Sequence, residues 1–243
     1  MNRVPTIVLG GKGLVAGELL RLIAAHPQLE LAGCLSDGSP GESVAGTFPH
    51  LSSAYPDTLF QSHTQIAALL RRERAPAVFG AAPHGVSAGL IDTLLMVAEQ
   101  AGNNPQVVDI SADFRIKDVA EWERWYKVKH AAPELIAQAV YGLCEVNRDK
   151  IRGARLVANP GCYPTAVQLG LLPLVEAGAV DIDHLIADAK SGVSGAGRKL
   201  EQNLMYSESA DNFSAYGVGG HRVSRMRPVA RRPPSVFYSG VGD

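Results

Sequence analysis

Residues 4–35, VPTIVLGGKGLVAGELLRLIAAHPQLELAGCL, constrain the fold of this chain more than any other stretch. VPTIVLG (4–10) is a short apolar run that ends in glycines, as a buried strand does. Val15, Leu19, Leu22 and Ile23 then recur near the helical period of about 3.6 residues until His26-Pro27 closes the segment. LELAGCL (29–35) reads as a second strand. Strand, glycine turn, helix, strand is the order of a parallel βαβ unit.

The turn itself, GGKGLVAGE (10–18), resembles a dinucleotide-binding loop only in part. Gly10 and Gly13 have the first spacing of G-x-G-x-x-G, Lys12 stands between them, and the third small position falls on Ala16 or Gly17. Such a loop brings backbone N–H groups at a helix start to a pyrophosphate, which places Gly10, Lys12, Gly13, Leu14 and Val15 at a cofactor. A plain βαβ turn is the alternative at this point. After the second strand, Leu35-Ser36-Asp37 stands where a ribose-binding carboxylate is expected. Ser36 leaves room for a 2′-phosphate, whereas Asp37 repels one if it points inward, so the reading leans to NADP.

Helix and strand patterns continue through IAALLRR (66–72), PAVFGAA (76–82), VSAGLIDTLLMVAEQ (86–100) and QVVDISA (106–112), with SDGSPGESVAGTF (36–48) as a polar loop. This alternation predicts a doubly wound domain over residues 1–155. Residues 122–140, aromatic and charged at first and then helical, are expected to cover a sheet edge. From Leu156 a second group begins: a helix starting near Cys162, a strand around HLIADAK (184–190) and the glycine-rich loop SGVSGAGRK (191–199).

Charge excludes rather than assigns. Lys+Arg 23 against Asp+Glu 24 leaves a net charge of -1, which gives no global field for nucleic acid or an acidic membrane. No run approaches the length of a membrane span, and three scattered cysteines suit neither a disulfide framework nor structural zinc. A cytoplasmic protein, with no nucleic-acid or membrane partner and no metal, is expected.

Cys162 is the exception among the cysteines. In NPGCYPTA (159–166), Pro160 restricts Asn159 to an extended conformation, Gly161 permits a tight turn, and Val167, Leu171 and Leu174 suit a helix packed on a core. Cys162 therefore falls at the first turn of a helix, where backbone donors and the positive helix end favour a thiolate. Asn159 adds a donor where charge develops on a carbonyl oxygen. A small buried hydrophobe is the alternative, and it suits Cys34 and Cys144 better.

The octapeptide also resembles the catalytic cysteine segment of the N-acetyl-gamma-glutamyl-phosphate reductase family, a branch of the semialdehyde dehydrogenases. GGKGLVAGELLRLIAAHP (10–27), FGAAPHGVS (79–87), DISADFR (109–115), WYKVKHAAPEL (125–135), YGLCEVNRDKI (141–151), DAKSGVSGAGRK (188–199) and YGVGGHR (216–222) follow in that family's order. The resemblance implies a Rossmann-type doubly wound parallel sheet followed by an incomplete α+β semialdehyde-dehydrogenase catalytic domain over residues 156–222. It implies NADPH as reductant, an acyl phosphate (N-acetyl-L-glutamyl 5-phosphate) as substrate, inorganic phosphate as product and a place in arginine biosynthesis. Cys162 takes the nucleophile's position and His221 that of an acid-base histidine. Arg115, Asn159, Lys190 and Ser191 are expected at the substrate, Arg115 being equally suited to a domain-bridging ion pair. Ser36, Pro83, Ser191 and Gly192 join the glycine turn at the cofactor. His84 suits either the nicotinamide side or a structural, backbone-bonded role.

The resemblance stops abruptly after Arg222. Val223 stands where the family has a second histidine, and RVSRMRPVARRPP carries five arginines by Arg232, no periodicity and no acid. Residues 223–243 read as a divergent, disordered basic tail. The break predicts a truncated or frame-shifted enzyme with an exposed sheet edge, poor solubility or low activity. A homo-oligomer is expected of the intact protein. Two other functions fit the sequence: an aspartate-semialdehyde dehydrogenase-like enzyme, and a non-catalytic dinucleotide-binding remnant.

Overall fold

The computed structural model describes residues 3–215 and 235–238. The chain divides into two compact units, the first ending at Asn159 and the second beginning at Pro160.

The first unit opens with β1 (Val4–Leu9), α1 (Leu14–Ala25) and β2 (Leu29–Leu35), the βαβ unit expected from the sequence. The polar stretch after β2 holds a short helix, α2 (Val44–Thr47), capped by the Ser43 hydroxyl. α3 (His63–Arg72) starts earlier than its apolar residues suggest, because Ser62 and Gln65 form a reciprocal capping box. β3 (Ala77–Gly80), α4 (Ser87–Gln100) and β4 (Gln106–Asp109) complete the alternation. α5 (Val119–Tyr126) ends at Lys127, whose left-handed φ of 60° turns the chain, so the expected longer helix to residue 140 shrinks to α6 (Pro133–Ile136). β5 (Val140–Tyr141), α7 (Cys144–Arg152) and β6 (Leu156–Ala158) follow.

The six strands form one sheet in the order β2-β1-β3-β4-β6-β5, every pair parallel. β6 pairs with both β4 and β5, so this strand, read from sequence as the start of the second domain, belongs to the first unit and moves the boundary from residue 155 to Asn159. Ile7, Val8 and Leu9 are fully buried because both faces of the sheet are covered. Ile7 and Leu9 join Ile66 and Leu70 of α3 and Ile91 and Leu95 of α4 on one face. Val8 joins Ala16 and Leu20 of α1, with Phe48 and Phe60, on the other. Helices on both faces of a parallel sheet define the doubly wound architecture.

The second unit contains α8 (Cys162–Glu176), β7 (Ile186–Ala189), α9 (Tyr206–Ser209) and β8 (Ser235–Tyr238), with β7 and β8 paired in parallel. β8 lies inside the segment read as a disordered tail; residues 223–234 and 239–243 lie outside the described residues. α8 buries only Tyr163 and Pro164, while Leu174 is exposed and Leu171 half-buried. Of the apolar face expected to pack on a core, Val167 packs against Tyr163 of the same helix, together with Ala187 and Ala189 of β7.

A buried carboxylate network fixes the loops after β3 and β4. Asp109, at the end of β4, accepts from the Ser87 hydroxyl (2.6 Å), the Ser111 hydroxyl (2.6 Å) and the Ser111 N–H (3.2 Å). Asp113 accepts from Gly85 N–H (2.8 Å) and Ala88 N–H (3.0 Å) at the start of α4. Burial raises the pKa of Asp109 above its ordinary 3.8 despite those bonds. Folding therefore favours its protonated form, and that stabilisation is complete below the ordinary value and lost as pH rises through the raised one. Asp109→Asn is expected to remove this part of the pH dependence, up to about 1.4 kcal/mol per pH unit. Urea denaturation of both proteins across acidic to neutral pH measures it; an unchanged slope in the variant contradicts the assignment.

Candidate functional site

Strand order reverses its direction of growth at β1, with β2 on one side and β3 on the other, and ligands of open α/β sheets bind beyond the strand ends at such a point. The glycine turn occupies that place. Gly10 has φ +77° and sits so close to the end of β3 that a Cβ there would lie 2.6 Å from the Ala81 carbonyl oxygen and 2.7 Å from Ala82 N. Gly11 donates its N–H to the Leu35 carbonyl at 2.7 Å, and a Cβ on it would meet Cys34 Sγ at 2.6 Å. The first two glycines are thus required by packing between strand ends.

Gly13 is the N-cap of α1, with no side-chain cap and no acidic residue in the first turn. A Cβ on Gly13 would find no protein atom nearer than Gly10 O at 3.7 Å. Of the two candidates for the third small position, Ala16 is fully buried and Gly17 faces the Phe48 ring, where a Cβ would lie 2.7 Å from a ring carbon. Leu14 and Val15 are exposed on the first turn of α1, and Pro83 is exposed at the entry to α4. The backbone donors of the α1 N-terminus, uncapped and beside glycines, suit an anionic pyrophosphate.

Ser36 is 8% exposed and turns the chain by accepting from Ser39 N–H at 3.3 Å. Asp37 pairs with His63 (Nε2 to Oδ1, 2.5 Å). Lys12 donates to Ser39 Oγ at 2.8 Å and to Glu42 Oε2 at 2.7 Å. Ser39 and Glu42 were not singled out from sequence; their one signal there was a polar run directly after a strand.

Arg115 donates through Nε to the Asn159 carbonyl (2.7 Å) and through Nη2 to the Ile110 carbonyl (2.6 Å). Asn159 N–H in turn donates to the Asp109 carbonyl at 2.8 Å. These bonds tie the chain leaving β6 to the loop after β4. His84 Nδ1 accepts from Ala112 N–H at 2.9 Å, the backbone-bonded role left open by the sequence. His130, also missed from sequence, is buried against Trp122. It accepts from Ala132 N–H at Nδ1 and so presents Nε2–H to the Asp113 carbonyl (2.8 Å).

In the second unit Cys162 is the first residue of α8 and is exposed, in contrast to the buried Cys34, whose thiol burial pushes up to about 12. Gly161 caps the helix without a side-chain bond, and its extended φ of -77° requires no glycine-specific turn. Its carbonyl accepts from Thr165 N–H (3.1 Å) and Thr165 Oγ1 (2.8 Å). An open cavity of about 390 Å³ is lined by Cys162, Tyr163, Ala187, Asp188, Lys190 and Ser191 among others. Lys190 pairs with Asp188, and Ser191 Oγ donates to the Gly192 carbonyl at 3.1 Å. Lys190 and Ser191 thus share the cysteine's cavity, while Arg115 and Asn159 belong to the first unit. His221 lies outside the described residues. Among the described residues no group of His, Cys, Asp and Glu is arranged to hold a metal, and no helix is long and apolar enough to cross a membrane.

Comparison with known proteins meets this geometry from a separate direction. Residues 6–154 match the family described as the semialdehyde dehydrogenase NAD binding domain, and residues 162–225 the semialdehyde dehydrogenase dimerisation domain. N-acetyl-gamma-glutamyl-phosphate reductase of Aromatoleum aromaticum is 53% identical over 97% of this chain and 65% of its own length. The Thiobacillus denitrificans protein of the same name is 54% identical over 88% of this chain and 60% of its own. The chain thus spans about 60 to 65% of the length of these relatives. Among solved structures, aspartate semialdehyde dehydrogenase with NADP from Candida albicans superposes with a TM-score of 0.60 at 16% identity, covering 98% of this chain and 67% of that one, a likeness of fold.

The glycines separate experimentally. Gly10→Ala is expected to cost about 1–3 kcal/mol of stability, since it places a side chain at positive φ against backbone. Gly13→Ala is expected to change stability by less than about 1 kcal/mol. Urea denaturation followed by tryptophan fluorescence checks both; equal losses contradict the packing argument.

Proposed function

Because the chain belongs to the semialdehyde dehydrogenase family, we propose that it serves the NADPH-dependent reduction of N-acetyl-L-glutamyl 5-phosphate to the semialdehyde, a step of arginine biosynthesis. The observation that carries this reading is Cys162: an exposed thiol at the first position of an uncapped helix, in an open cavity beside a lysine.

The residues of the first unit fit a dinucleotide. Gly10 and Gly11 hold the turn against the ends of β3 and β2, and the α1 N-terminus offers backbone donors with no carboxylate in its first turn. Gly13, Leu14 and Val15 line that approach, with Ser36 toward the ribose and Pro83 at the end of the β3 loop. When bound, the nicotinamide supplies the hydride that reduces the acyl group.

The remaining chemistry is the protein's. The Cys162 sulfur attacks the acyl carbon and the carbon–oxygen bond to phosphate breaks, leaving a thioester and inorganic phosphate. Negative charge that develops near the sulfur meets the positive end of α8. Lys190 and Ser191, in the same cavity, are assigned to the anionic substrate, which requires Lys190 to exchange its Asp188 partner for the ligand. Arg115 acts in this reading as a positioning residue, holding by its bond to the Asn159 carbonyl the strand end from which the cysteine loop departs. Reduction gives a thiohemiacetal, whose collapse releases aldehyde and returns the thiol; His221 is assigned the proton transfer.

A second reading, a dinucleotide-binding remnant without turnover, draws support from the chain's span of only about 60 to 65% of its relatives. Intact mass analysis after brief exposure to N-acetyl-L-glutamyl phosphate, with peptide mapping, separates the two. The enzyme reading expects one acyl adduct on Cys162, release of one phosphate, and neither event in Cys162→Ala. NADPH binding without an adduct, or an adduct on Cys144, overturns the enzyme reading.

A further inference from the structure

We propose that Lys12 selects the phosphorylated dinucleotide over the unphosphorylated one, and that Glu42 is a built-in competitor for the same ammonium group. The inference rests on the dinucleotide reading above and extends it to specificity.

In a βαβ dinucleotide site the ribose is read at the end of the second strand. Here that end carries an unusual distribution of charge. Lys12 reaches from the glycine turn to Ser39 Oγ and Glu42 Oε2, in the loop that follows β2. The loop is held by its backbone: Gly11 N–H to Leu35 O at 2.7 Å, Gly41 N–H to Phe60 O at 2.8 Å, and Phe60 N–H to Glu42 O at 2.9 Å. Lys12 also lies over the Phe60 ring, 6.0 Å from its centroid. The glycine turn that carries the ammonium group and the loop that receives it are therefore both anchored, and the Gly11–Leu35 bond joins them.

The two acids of the loop are not equivalent. Asp37 has His63 as its partner, whereas Glu42 pairs with Lys12. Bonds from Lys12 and Ser39 hold the Glu42 carboxyl below its usual range, so it stays ionised. The pair is exposed, 38% at Lys12 and 57% at Glu42, and pairs of that kind are weak and easily opened. A 2′-phosphate brings nearly two negative charges and three acceptor oxygens, enough to take Lys12 from Glu42. A 2′-hydroxyl brings no charge and leaves the pair intact. Discrimination therefore resides in Lys12, and Glu42 sets how much of it is realised.

Fluorescence titration of the full chain with NADPH and with NADH tests this directly. Lys12→Met is expected to weaken NADPH about tenfold or more while NADH stays within about twofold, since one charge-assisted bond to phosphate is lost. Lys12→Arg is expected to retain the preference. Glu42→Gln is expected to tighten NADPH about threefold, the scale of an exposed ion pair, with NADH unchanged. NADH binding also reports that each variant is folded. Equal weakening of both nucleotides by Lys12→Met, or no weakening of NADPH, overturns the inference and leaves the dinucleotide reading standing. Failure of the unmodified chain to bind either nucleotide overturns both.

Discussion

The contact on which the first unit depends is the approach of the Gly10 backbone to the Ala81–Ala82 peptide at the end of β3. β1 lies between β2 and β3, so its C-terminal end is where the sheet's two directions of growth part. Only a residue without Cβ, at φ +77°, allows the chain to turn there into α1 while staying against β3. Gly11 adds the matching bond to the end of β2. Together they place the uncapped start of α1 at the mouth of the crevice, which is what gives the unit a use for backbone donors.

The carboxylates under the neighbouring loops support the same crevice. Asp109 and Asp113 are fully buried and bonded to Ser87, Ser111, Gly85 and Ala88, so the loops after β3 and β4 are fixed to each other. Arg115 continues the chain of bonds to Asn159. Polar groups buried at this density stabilise only when every partner is present. The loops are therefore held in one arrangement.

Much of the first unit was legible in the sequence because local pattern and tertiary packing agree there. The opening βαβ unit, α4 and β4 follow from periodicity and from Gly and Pro positions, as does, in the second unit, the start of α8 at Cys162. β5 and β6 were not legible as strands of this sheet: at two and three residues they carry too little alternation, and the pairing of β6 with β4, which joins them to the sheet, is non-local. The end of α5 at Lys127 depends on a left-handed residue that composition does not announce. At the site, the glycine turn stood out through clustered glycines after a strand, and Cys162 through a cysteine between prolines at a helix start. Glu42 and Ser39 did not, because an acid and a serine in a polar loop have no signature until a lysine thirty residues away in sequence is seen to reach Glu42. The semialdehyde dehydrogenase resemblance was legible in ordered motifs, and the family match bears it out.

Hydrogen–deuterium exchange of the full chain with and without NADPH tests the central claim most directly, that the turn between β1 and α1 holds a dinucleotide by its backbone. The account predicts slowed exchange in peptides spanning residues 10–17 and 36–42, with helices α3 and α5 unchanged. Saturating nucleotide that leaves the glycine turn exchanging as before, or that protects some other surface instead, contradicts it.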